Sequence, residues 1–252
     1  MNEKLSRRRL LTAGAIAPLA GAAAAASGIV GPGMPWHEGQ AALPDAAHGI
    51  TSPGTAASYA FFSAAEASFI EAAVARLIPA DDLGGGAVEA GVPVFLDRQL
   101  SGAFGRGEGW YMQGPWDQGL QTQGFQTRLT PAAIYRAALR EIDDAVAQEG
   151  TAASFAKLHP VDQDRWLSQL EKGEPKLPTA DAKTFFKMLL QNTLEGFWSD
   201  PMYGGNRDML GWKLIGFPGA RYDHLPYVSK HGEAYPLPPV GLKGRPEWLR
   251  KA

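Results

Sequence analysis

Cysteine is absent from all 252 residues. That absence excludes disulfides, thiolate metal sites, iron–sulfur ligation and the Cys-x-x-Cys-His attachment of haem c. A basic excess is missing too, with 24 Lys and Arg against 26 Asp and Glu. Nothing in this balance draws the chain to nucleic acid or to anionic lipid. No Gly-x-Ser-x-Gly elbow, His-Glu-x-x-His helix or Walker-type Gly-Lys-Ser/Thr occurs, which removes the sequence marks of a serine hydrolase, a zincin and a P-loop enzyme. Strand patterning is scarce and no fixed-period repeat is evident.

The glycines and titratable residues add little chemistry. Gly84-Gly85-Gly86 follows a helical pattern rather than a strand, and Gly105-x-Gly107-x-Gly109 lacks the dinucleotide spacing. The histidines are His37, His48, His159, His224 and His231, with no His-x-x-x-His pair. Asp223, His224 and His231 are the one grouping with metal-ligand types, but they stand on a Pro-rich tail that makes a poor rigid support. Asp81-Asp82 and Asp143-Asp144 are adjacent pairs, so neither shares one helix face. Asp81 reads as a turn cap and Asp143-Asp144 as part of a solvated side. No catalytic, cofactor-binding or metal residue is assigned in this chain.

What is present begins at the N-terminus. Arg7-Arg8-Arg9 precedes an uncharged stretch from Leu10 to Ala26 rich in Leu, Ala and Gly. Ala24-x-Ala26 supplies the small-residue pattern a signal peptidase reads, with the cut before Ser27. Arg7 and Arg8 mark the leader as the twin-arginine kind, addressed to the Tat translocase of a bacterial cell. As a membrane anchor the stretch is short and only weakly apolar. Removing residues 1–26 takes away four basic residues and one acid, leaving 20 basic and 25 acidic residues and a net charge of −5. Folded export points to a cofactor loaded in the cytoplasm, or to a partner that carries one.

Residues 27–58 are rich in Gly, Pro, Ala and Ser without apolar period and read as a flexible linker. From Tyr59 the pattern turns helical. Ser63-x-x-Glu66 has the form of a capping box ahead of Phe69, Ile70, Ala73, Val74, Leu77 and Ile78. A second helix is expected after Pro93, then a Gly-rich aromatic loop between Gly102 and Gly124 carrying Phe104, Trp110, Tyr111 and Trp116. Thr130-Pro131 announces a third helix that runs to Gly150, Pro160 a fourth over 160–171, and Thr179 a fifth, the most apolar. Asn206 is expected to cap a brief helix through Met209, Leu210 and Trp212. The fold class is all-α: an irregular helical domain over 59–221 with long Gly/Pro-rich loops, followed by an extended Pro-rich tail over 222–252.

The most specific stretch is Asp200-Pro-x-Tyr203-Gly-Gly-Asn206-x-Asp208, followed by Gly211-Trp212 and Gly216-Phe217-Pro-Gly. Together with Phe62-Ser63-x-x-Glu66, Leu77-Ile78-Pro79-Ala80-Asp81 and the leader, it resembles the gluconate 2-dehydrogenase subunit 3 family. The likeness covers roughly Tyr59 to Tyr222. It implies the small, non-catalytic subunit of a dehydrogenase acting on sugars or sugar acids. In that family a large flavoprotein subunit holds FAD, and a multihaem cytochrome c subunit carries haem c and passes electrons on. The small subunit binds the flavoprotein and supplies its export signal. The resemblance thus implies a periplasmic location, at the membrane only through the complex. It makes Asp200, Tyr203, Asn206, Asp208, Trp212 and Phe217 the expected partner-binding residues. The alternative is a stand-alone periplasmic sugar-binding module or enzyme using the aromatic loop 104–116, where Trp110 and Trp116 would be the platform.

Overall fold

The computed structural model describes residues 59–244, apart from Asp117, Gln118, Phe125, Tyr222 and the side chain of Gln121. Arg7, Arg8, Ala24, Ala26 and the linker 27–58 lie outside the described residues. Among the described residues there are seven α-helices and no strand, so the expected all-α class holds. The helices are α1 (Ala64–Leu77), α2 (Val92–Ser101), α3 (Ala103–Arg106), α4 (Pro131–Gln148), α5 (Pro160–Lys172), α6 (Ala182–Trp198) and α7 (Leu210–Ile215). Among the described residues no helix is long and apolar enough to cross a membrane.

Local chemistry sets most of the boundaries. The capping box of α1 is formed, with Ser63 N–H donating to Glu66 Oε2 at 2.8 Å and Ser63 Oγ accepting from Glu66 N–H at 3.4 Å. Thr130 Oγ1 accepts from Ala133 N–H at 3.3 Å, with Pro131 in the first turn of α4. Left-handed glycines follow four helices, Gly107 after α3, Gly150 after α4, Gly173 after α5 and Gly216 after α7, the conformation that costs glycine least. The start of α6 differs from the expectation. Its cap is Asp181, whose Oδ1 accepts from Thr184 N–H at 2.8 Å, while the N–H groups of Thr179 and Ala180 both donate to Glu141 Oε2. Helix α3 lies where an irregular loop was expected. It is possible because Gly105 passes against the backbone of Leu100, where a Cβ would overlap the carbonyl.

Helix α6 is the centre, packed against α1, α2, α4, α5 and α7. Phe185, Leu189 and Phe197 on it are buried, with Tyr135 set edge-on to Phe185 at 5.4 Å. Phe69 of α1 stacks on Phe155 at 4.4 Å. Each such Leu, Ile or Phe contributes roughly 1.5–3 kcal/mol by leaving water. Polar groups inside are paired with few exceptions, among them Trp166 Nε1 and Glu141 Oε1, which are buried without a hydrogen-bond partner among the described residues. Asp97 on α2 is buried and accepts from the N–H groups of Ala60, Phe61 and Phe62 at 2.8, 2.8 and 3.0 Å. It therefore ties down the chain where the described body begins. Arg76 of α1 and Asp164 of α5 form a two-pronged ion pair at 2.7 and 2.8 Å.

Two carboxylates depart from a solvated role. Burial works to raise the pKa of Glu141, but Thr179 and Ala180, with Arg140 beside it, outweigh that and hold it below the ordinary value. Asp143, expected on a solvated side, is half-buried and accepts from Phe155 N–H at 2.8 Å. Burial chiefly pushes its carboxyl up, and Asp144 adds in the same sense.

The tail does not simply extend. Ala220 N–H donates to the Val240 carbonyl at 2.7 Å and Val240 N–H to the Pro218 carbonyl at 3.2 Å, pairing Gly219 with Val240. Val240 is buried, and Gly219 is left-handed where a Cβ would overlap the Val240 backbone. Residues 221–239 thus form an excursion closed at its base, containing a 3₁₀ turn at Leu225–Tyr227.

Candidate functional site: the turn after helix α6

The stretch from Asp200 to Gly219 leaves the end of α6 and folds back on it. Asp200 Oδ1 accepts from Met202 N–H at 3.0 Å and opens a 3₁₀ turn at Pro201–Tyr203. Its other oxygen accepts from Leu242 N–H at 2.6 Å, so one carboxylate holds both the turn and the returning tail. The two following glycines serve different ends. Gly204 is left-handed, with φ 101°. Gly205 is required by space, since a Cβ there would overlap the carbonyl of Gly196 in α6. Gly196 in turn lies under Phe95, where a Cβ would meet the ring at 2.8 Å. The chain is therefore layered glycine on glycine between α6 and α2.

Asn206 is fully buried. Its Nδ2 donates to the Ser199 carbonyl and its Oδ1 accepts from Gly211 N–H, both at 2.8 Å. It stands, as expected, at the N-cap position of a short helical stretch, a 3₁₀ turn at Arg207–Met209 leading into α7, but its side chain makes no capping bond and reaches the fifth residue on rather than the second or third. It stitches the two ends of the turn together. Arg207 N–H donates to the Ala90 carbonyl at 2.8 Å, fastening the turn to the segment before α2. Asn206, Asp208 and Met209 all have positive φ, 44°, 56° and 56°. Such geometry costs roughly 1–2 kcal/mol per non-glycine residue, is best tolerated by Asn and Asp, and gathers at functional sites. Trp212 is buried, donates Nε1–H to the Trp198 carbonyl at 2.8 Å and meets Phe217 edge-on at 5.1 Å.

The six residues expected to bind a partner therefore divide. Asn206 and Trp212 are interior and Asp200 is committed to backbone amides, so these three shape the turn. Tyr203 and Phe217 are each 42% exposed, and Asp208 is exposed. Ile215, 60% exposed, stands beside them in sequence and was not singled out. Its signal was the apolar residue before Gly216 on a helix too short to bury every side. No group of three or more His, Asp or Glu placed to hold a metal occurs among the described residues, and His224 packs near Tyr235 at 5.8 Å instead.

The aromatic loop resolves into a second feature. Phe104, Trp110 and Tyr111 line a cleft of about 370 Å³ with Gln123, Gln126, Met188, Gln191 and Asn192. Trp116 is not among the lining residues and lies against Gly114.

Two kinds of comparison gave nothing: no curated protein and no solved structure matches the chain. A family model does match, over residues 64–219, and its description is gluconate 2-dehydrogenase subunit 3.

Proposed function

We propose a role that proceeds from one premise: the chain belongs to the gluconate 2-dehydrogenase subunit 3 family, and so is a subunit of a larger complex. In this reading it is the non-catalytic small subunit of a periplasmic FAD-dependent dehydrogenase acting on sugar acids. It binds the flavoprotein large subunit and lends that subunit its twin-arginine leader. FAD and haem c reside in the partners, the second in a multihaem cytochrome c that feeds electrons onward at the outer face of the inner membrane. The Tat translocase recognises Arg7 and Arg8 and moves the preassembled pair.

The observation that supports the reading is the division of the family's stretch. One half, Gly205, Asn206, Gly211 and Trp212, is spent on rigid attachment to α6. The other half leaves Tyr203, Asp208, Ile215 and Phe217 in water. A stiff turn that displays aromatic rings suits protein recognition, where rigid anchors lose little entropy on binding.

One experiment has two arms, both read as flavin-linked dehydrogenase activity in separated cell fractions. Replacing Arg7 and Arg8 by Lys leaves the activity in the cytoplasm, still co-purifying with this chain. Replacing Tyr203 and Phe217 by Ala abolishes co-purification while helical circular dichroism is unchanged. Flavoprotein that reaches the periplasm in the first variant sinks the escort role, and undiminished capture in the second sinks the docking surface.

A further inference from the structure

The cleft beside the aromatic loop has a chemistry of its own. Its walls come from three separate places: Phe104 on α3 with Trp110 and Tyr111 just beyond it, Gln123 and Gln126 in the following loop, and Gln191 and Asn192 on α6. Its volume of about 370 Å³ lies at the lower end of the roughly 300–1,000 Å³ typical of small-molecule sites. Three aromatic rings and four carboxamides meet there, and none of the lining residues carries a charge.

The carboxamides are partly committed, and in a regular way. Gln123 Oε1 accepts from Leu120 N–H at 2.6 Å, which leaves its NH₂. Gln126 Nε2 donates to the Gln123 carbonyl at 3.1 Å, which leaves its Oε1. Gln191 Nε2 donates to Glu195 Oε1 at 2.8 Å, which again leaves Oε1. Asn192 is buried and held by the Tyr135 hydroxyl at 3.3 Å. Each glutamine is thus oriented by one end while its other end has no partner among the described residues. Tyr111 is 79% exposed, a large ring kept in water at the rim.

We propose that this cleft binds a neutral polyhydroxylated ligand, one sugar or polyol unit in size. The apolar C–H edge of such a ligand covers the aromatic rings, whose faces carry partial negative charge and attract polarised C–H bonds. Its hydroxyls are donors and acceptors at once, which matches the NH₂ left on Gln123 and the carbonyl oxygens left on Gln126 and Gln191. An apolar ligand would leave those carboxamide ends unpaired, at a desolvation cost. An anionic ligand finds no cation among the lining residues, and Gln191 is itself bonded to the carboxylate of Glu195. The site therefore selects against sugar acids. It is independent of partner docking at residues 203–217, and either can fail without the other.

The test uses the purified full-length chain with sorbitol, D-glucose and gluconate as probes, which differ mainly in charge and ring closure. Saturation-transfer NMR and tryptophan fluorescence should both give saturable binding of sorbitol or glucose, with transfer to ligand C–H protons. Tyr111→Ala and Gln191→Ala, both at exposed positions, should each weaken it by about fivefold to tenfold with the melting temperature unchanged. Gluconate should bind more weakly by at least a similar factor. Absence of saturable binding overturns the proposal, as does equal binding of gluconate or indifference to Tyr111→Ala. Tyr111→Ala reducing capture of the flavoprotein, with no response to either neutral probe, would make the cleft a protein contact and overturn it as well.

Discussion

Two glycine-rich stretches with similar composition lead opposite lives in this molecule. In the turn after α6, a Cβ on Gly205 or Gly211 would overlap the backbone of α6, so these glycines exist to let two chains touch. In the aromatic loop, Gly109 and Gly124 have nothing within contact distance of a would-be Cβ. There glycine supplies bends around a cleft. The first arrangement gives a stiff display of Tyr203 and Phe217, the second an open recess lined by Trp110 and Tyr111. Glycine content alone carries neither meaning; what surrounds the missing side chain decides it.

Three substitutions test that contrast. Gly205→Ala should have the largest effect, destabilising the protein by about 3 kcal/mol because a helix carbonyl cannot move aside as a flexible side chain can. A chemical denaturation midpoint would read it, and a wild-type midpoint would mean the layered contact is not the reason for glycine there. Asn206→Gly keeps the left-handed backbone and removes only the two hydrogen bonds that close the turn. It should cost about 2 kcal/mol, with amide exchange at Gly211 accelerated more than at α4. Uniform acceleration would show that the turn is not a separate unit. Gly109→Ala should be nearly silent, within about 0.5 kcal/mol in the same denaturation experiment. A large loss would break the comparison, since it would place Gly109 in a tight contact after all.

The helices were readable because their signals are local. Ser63 with Glu66, Thr130 with Pro131, and Pro160 each satisfy or tolerate the unpaired amides of a first turn within a few residues, and periodicity marks what is buried. The start of α6 was misplaced by two residues for the same reason. Thr179 resembles a cap in isolation, but a distant residue, Glu141, claims its amide. Asp143 was read as solvated for the same reason, because its partner Phe155 comes from the loop beyond α4. In the turn after α6, the importance of the residues could be seen from the sequence but not their division of labour. Asn206 and Tyr203 are three positions apart, and only the packing of the turn on α6 makes one interior and the other exposed.

By itself the chain's order of residues determined the absence of thiol chemistry, the all-α class and the family to which the protein belongs. Those depend on which groups exist and on interactions within one or two helical turns. Tertiary structure alone decided which glycines are contacts, which of six expected partner residues reach solvent, and that the tail returns to Asp200 and Gly219. It also brought α3, the aromatic loop and α6 together around one cleft. Such outcomes depend on groups far apart in sequence meeting at separations of a few ångströms, and no local pattern encodes that meeting.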